Sequence, residues 1–117
     1  MALDQERRNV LVAFRRPARL GVFSIEDGSV VAATQICGDA DDVSIDQRRR
    51  RAYVSCGEGF LDVLDIQSAS YRRIAHIPTT VGARTSLFVP ILDLLLLAAQ
   101  THAGPPSAVW VFRPISD

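Results

Sequence analysis

The chain repeats itself along its length. Leu3-Asp4-Gln5 lies over Ile45-Asp46-Gln47, and Arg7-Arg8-Asn9-Val10-Leu11-Val12-Ala13 lies over Arg49-Arg50-Arg51-Ala52-Tyr53-Val54-Ser55, an offset of 42. After a one-residue gap, Leu20-Gly21-Val22-Phe23 lies over Leu61-Asp62-Val63-Leu64. A weaker third copy sets Leu95-Leu96-Leu97-Ala98 over Ala52-Tyr53-Val54-Ser55, and Val109-Trp110-Val111-Phe112 over Asp62-Val63-Leu64-Asp65. The period falls in the ~40–45 residues of a four-stranded propeller blade, a unit that buries its apolar faces only against its neighbours.

Within the middle copy, four short segments rich in β-branched, aromatic and aliphatic residues alternate with turn-formers, as an antiparallel meander requires. Strands are predicted at about Asp42–Asp46, Ala52–Cys56, Phe60–Ile66 and Tyr71–Ile77, with Gly57-Glu58-Gly59 as a tight turn. The first copy predicts strands at Asn9–Phe14, Leu20–Ile25 and Ser29–Cys37, preceded by the stub of another. The third predicts Thr85–Val89, Leu94–Ala99 and Ala108–Arg113 and lacks its last strand. A helix is conceivable only at Asp93–Gln100, and the repeat register makes that segment a strand. The expected fold is all-β: a partial β-propeller of about 2.5–3 four-stranded antiparallel blades, within one domain spanning 1–117. The blades are expected at 1–38, 39–80 and 81–117.

The middle copy carries a Tyr53-Val54-Ser55 strand, a Gly turn, a Val63-Leu64-Asp65 strand and an Ile74-Ala75-His76-Ile77-Pro78 strand. In this it resembles the YVTN repeat of YncE-like seven-bladed β-propellers. Gly38–Asp46 and Gly82–Pro90 are similar to the connections that join one blade to the next in that family. The resemblance runs from Leu3 to about Pro114 and implies a fold more than an activity, because such propellers serve many functions. A closed ring needs about seven blades and this chain holds fewer than three, so it resembles the C-terminal blades only of such a propeller and is expected as a fragment of a larger one. The third turn, Pro90-Ile91-Leu92-Asp93-Leu94, departs from the family's polar pattern.

Composition excludes several classes. Thirteen basic residues, all Arg, balance thirteen acidic ones, so no net field favours nucleic acid or an anionic membrane. A hydrophobic content of 48% is far from that of a disordered chain, and no apolar run reaches the ~18 residues of a membrane-spanning helix. The first eight residues lack the basic start and apolar stretch of a signal peptide, so the chain as written is expected in the cytoplasm. The resemblance implies the periplasm if the chain belongs to a longer exported protein. Cys37 and Cys56 form neither a CxxC pattern nor a disulfide framework and are expected as two buried free thiols.

Propellers bind at the mouth of the central channel, where inter-blade connections and the second-to-third-strand turns converge. That face is expected to gather Asp39, Asp41 and Asp42, Arg84, Glu58, Arg16 with Arg15, and His102. The three aspartates offer hard oxygen ligands to Ca²⁺ or Mg²⁺, yet the D-x-D-x-D-G pattern is incomplete. They are expected instead to accept backbone N–H groups and to pair with Arg84 one blade over. Arg48 to Arg51 resembles a phosphate-binding run but is expected as a solvated turn. Cys56 with His76 or His102 suggests a nucleophile and base, against a packed thiol. Tyr53, Phe60, Trp110 and Phe112 are expected as core.

The function expected is therefore a non-enzymatic binding or scaffold module without a cofactor. The alternative is a fragment of a propeller-type metal-dependent hydrolase or lactonase. Self-association, or pairing with missing blades, is expected because the end blades are incomplete.

Overall fold

In the computed structural model, which describes residues 1–100 and 106–115, the described residues form eleven strands in three antiparallel meanders. The first sheet contains β1 (Ala2–Asp4), β2 (Asn9–Phe14), β3 (Arg19–Ser24) and β4 (Val30–Gln35), in that order. The second contains β5 (Ala40–Asp46), β6 (Arg51–Cys56), β7 (Phe60–Asp65) and β8 (Arg72–Pro78). The third has three strands, β9 (Thr85–Val89), β10 (Leu94–Ala99) and β11 (Ala108–Phe112). The Leu-rich segment is a strand in register with both neighbours.

The repeat is visible in details of the backbone. In each sheet the first two strands are joined by a four-residue loop, set by the pairs Asp4–Asn9, Asp46–Arg51 and Val89–Leu94. The last loop residue has positive φ every time: Arg8 (57°), Arg50 (53°) and Asp93 (57°). A register shift recurs between third and fourth strands, at Val22/Phe23 and Val63/Leu64. Two residues before its bulge-side partner, the fourth strand is preceded by another left-handed residue, Gly28 or Tyr71.

Strand alternation gives each sheet two faces, and the core lies between sheets. Leu11, Leu20 and Val22 of the first sheet pack on Ala52, Val54 and Leu64 of the second. Tyr53, Leu61 and Val63, on the second sheet's other face, pack on Phe88 and Leu95 of the third. Tyr71 does not begin β8 as expected. It lies in the preceding turn, fully buried, and its hydroxyl accepts a hydrogen bond from Asn9 Nδ2 at 2.8 Å, tying the second sheet to the first.

The cysteines correct the sequence reading, because Cys37 and Cys56 are joined in a disulfide with Cα atoms 5.9 Å apart. Cys37 sits in the connection between β4 and β5, which folds back over the end of β6 where Cys56 lies. Nineteen residues separate them in sequence, and only the connection's path brings them together. A nucleophilic Cys56 is excluded by the same bond.

Candidate functional site

The edge expected to face the channel is built on the connection Ile36–Asp39. Asp39 adopts left-handed φ of 58°, which turns the chain so that its carbonyl accepts the Gly57 N–H at 2.7 Å. Glu58 N–H donates to the Gly38 carbonyl at 3.2 Å, and the Gly38 N–H donates to Glu58 Oε2 at 2.7 Å. A side chain at Gly57 would collide with the Asp39 carboxylate and the Arg84 guanidinium, so glycine there lets this pair pass.

Arg84, from the connection leading into β9, donates through Nη2 at 2.5 Å and Nε at 3.1 Å to Asp39 Oδ2. Arg15, from the turn after β2, approaches Asp39 Oδ1 at 3.6 Å and Asp41 Oδ1 at 3.3 Å, and donates to the Ala40 carbonyl at 3.2 Å. The Arg84 hydrogen bonds hold the Asp39 carboxyl below the usual range against partial desolvation, and the charges of Arg84, Arg15 and Arg16 add to this. Asp42 accepts the Ser86 N–H of β9 at 2.9 Å. Arg16 borders, with Arg15 and Asp39, an open depression of about 710 Å³.

The structure thus brings together Asp39, Asp41, Arg15, Arg16, Arg84 and Glu58 along one edge. It divides the expected pairing: Arg84 takes Asp39 alone, while Asp41 turns to Arg15 and Asp42 to a backbone N–H. The backbone explains this, because Asp39 is left-handed, Asp41 is skipped by the register shift between Ala40 and Asp42, and Asp42 is back in register in β5. No three His, Cys, Asp or Glu side chains converge on a cation-sized centre among the described residues. His102 lies outside the described residues.

The larger departure is at the opposite edge. The run Arg48–Arg51 is not simply a solvated turn, because all four side chains reach other parts of the fold, the exposed Arg48 reaching Asp93 at 3.5 Å. Arg50 makes paired contacts of 3.0 Å with both carboxylate oxygens of fully buried Asp4, across the first and second sheets. Arg49, whose side chain is only 7% exposed, bridges Asp46 at 3.0 Å and, in bidentate fashion at 2.5 and 2.8 Å, Asp93 of the third sheet. Arg51 donates to the Ile115 carbonyl at 2.7 Å. The Arg49 hydrogen bonds hold Asp93 below the usual carboxyl range. Buried Tyr53 donates to Asp46 Oδ2 at 2.7 Å, and desolvation together with that bond pushes its phenol up. The recurrence of Asp4 and Asp46 at one repeat position is the sequence signal for these clamps.

A third cluster surrounds fully buried Asp62 of β7, whose Oδ2 accepts the Cys37 N–H at 2.7 Å and Arg73 Nη1 at 3.1 Å. Its Oδ1 bonds His76 Nδ1, and the His76 ring stacks on Phe60 at 3.9 Å between centroids. A carboxylate, an imidazole and the disulfide-bearing connection are thereby locked together. The Cys37 N–H bond ties the connection to the sheet, while Arg73 and His76 hold the Asp62 carboxylate from β8.

No protein-family model matches the chain, and no curated protein matches it. Among solved structures it is similar to hydrazine synthase from Kuenenia stuttgartiensis, a β-propeller-containing protein, with a TM-score of 0.81 and 15% identity. The match covers 95% of this chain and 32% of that one, so the chain spans about a third of the solved chain's length. At this identity the likeness concerns the fold: the three meanders are consecutive blades, and the chain is a partial β-propeller.

Proposed function

We propose that the chain is a non-enzymatic binding or scaffold module of YVTN-type, YncE-like propeller architecture. The observation that carries this reading is the internal use of the channel-edge carboxylates. Asp39 is held by Arg84, Asp41 by Arg15, Asp42 by the Ser86 N–H and Glu58 by the Gly38 N–H. A hydrolase that relied on a metal here would need these carboxylates turned toward one centre, whereas each is already turned to a different partner through at least one oxygen. Arg16, at the rim of the open depression, is the cation offered to a ligand, which favours an anionic group. The Tyr53-Val54-Ser55 repeat supports the YVTN assignment, and the Cys37–Cys56 bond favours an oxidising compartment such as the periplasm.

Thermal melting with millimolar calcium or magnesium tests this. The expected result is an unchanged melting temperature, with Asp39→Asn lowering it whether or not metal is present. A rise of several degrees that Asp41→Ala abolishes would refute the reading and return the metal-dependent hydrolase.

A further inference from the structure

Two sheet faces remain uncovered among the described residues, and they are the two halves of an interface the chain already builds twice. On the second sheet, Tyr53 pairs with Val63 and Ser55 with Leu61, and this face is buried against the third sheet. On the third sheet the same positions are taken by Leu96 paired with Val111 and Ala98 paired with Val109. They face away from the second sheet, and Val109 and Val111 are 62% and 59% exposed. Leu87, at the position of Ser44, is 59% exposed beside them, and with Leu96, Ala98 and Val109 it lines a shallow cavity of about 210 Å³. Where the covered face has Ser44 and Ser55, the uncovered one has Leu87 and Ala98, so it is the more apolar of the two.

The complementary half lies on the first sheet. In the second sheet, Ala52, Val54 and Leu64 receive the preceding sheet. Their counterparts in the first sheet are Val10, Val12 and Phe23, joined there by Leu3 and Phe14, which are 47% and 43% exposed. Phe14 and Phe23 meet edge to face at 6.3 Å, over a glycine, Gly21, whose missing side chain leaves room for both rings. Continuous apolar faces of this kind are drivers of association.

We propose that the occupant of the third sheet's outer face is the first sheet of a second copy of this chain, docked as the second sheet docks on the first. The contact is head-to-tail, so it uses different surfaces on the two copies and propagates until a ring closes. The argument is one of continuity. The internal interfaces demonstrate which apolar face receives which, and the uncovered faces present the same register positions with larger or more apolar side chains. Partner recognition is therefore by apolar shape, without a charged contribution from Leu87, Val109 or Val111.

The head-to-tail geometry makes a specific test possible with two double variants whose substitutions all lie at exposed positions. L87E/V109E blocks the third-sheet face, and L3E/F14E blocks the first-sheet face. Light scattering coupled to size exclusion, at tens of micromolar, should give the unsubstituted chain as a multiple of 12.8 kDa and each variant as a 12.8 kDa monomer. An equimolar mixture of the two variants should give a dimer and nothing larger, because each retains the one face the other lacks. An unsubstituted chain that stays monomeric overturns the proposal and leaves the faces to other blades of a propeller. Failure of the mixture to dimerise, or association that survives either variant, overturns it equally.

Discussion

Individual residues carry most of the polar cohesion between blades, and Asp4 shows how. Its carboxylate is fully buried and takes two bonds from Arg50, whose side chain is 12% exposed. A buried pair of this kind contributes little relative to an apolar substitute, but losing one partner strands the other charge. Arg50→Ala should cost roughly 3–5 kcal/mol in urea unfolding, and the double substitution D4L/R50M should recover most of the loss. A cost below about 1 kcal/mol for Arg50→Ala would mean that Asp4 finds water or another donor. The sequence revealed the recurrence of Asp4 and Asp46 but not their partners. Four consecutive arginines read as a solvated turn, and which of them turns inward depends on the left-handed residue at the loop's end. Likewise Cys37 and Cys56 are legible as thiols but not as a pair, since their meeting depends on the path of Ile36–Asp39.

At the scale of elements, the repeat made the strands legible. β2 lies where the 42-residue offset places it, and β9 and β10 where the third copy's 43-residue offset places them, and the differences fall where backbone chemistry is local. Tyr71 leaves β8 because the last residue of β7, Asp65, pairs with Arg72, and Tyr71 takes a left-handed φ of 51° that turns the chain while its ring is buried between sheets. The four-residue loops are the most regular element, each ending in a left-handed residue. A non-glycine residue pays about 1–2 kcal/mol to sit there, and a β-branched one pays more. Arg8 is the clean place to test this, because its contact with Glu26 is exposed on both sides and worth little. Arg8→Val should destabilise the chain by about 1–2 kcal/mol relative to Arg8→Gly, both variants having lost the Glu26 contact equally. Equal stabilities in chemical denaturation would show that this loop does not hold its left-handed turn in solution.

On the scale of the whole molecule, the three sheets are not equivalent, because among the described residues only the second has both faces covered. From Ala52 to Cys56 every residue of β6 is buried, as are Leu61 to Leu64 of β7, while Ala108 to Val111 of β11 are exposed. In a stacked array, stability is close to a sum of repeat terms and nearest-neighbour interfaces, so the middle unit gains two interfaces and each end unit one. This gradient was legible in the repeat count, but the clamps that join the blades were not, because they link loops of different copies. The arrangement predicts a hierarchy of local opening that native-state hydrogen exchange can read. Measured on the L87E/V109E variant, where association is blocked, β6 and β7 amides should exchange slowest and only through global unfolding. β2 and β3 should follow, held by the Asp4–Arg50 pair, the Asn9–Tyr71 bond and the disulfide-bearing connection. β10 and β11 should exchange fastest of the paired strands, since the third sheet is fastened chiefly by Arg49–Asp93, Arg84–Asp39 and the packing of Phe88 and Leu95 on Tyr53, Leu61 and Val63. In the unsubstituted chain at high concentration, protection of β10 and β11 should rise toward that of β6, because a second copy then supplies the missing interface. Uniform protection across all three sheets in the variant would contradict the nearest-neighbour picture. It would mean that the blades unfold as one cooperative unit, bound more tightly by their inter-blade ion pairs than by the apolar faces between them.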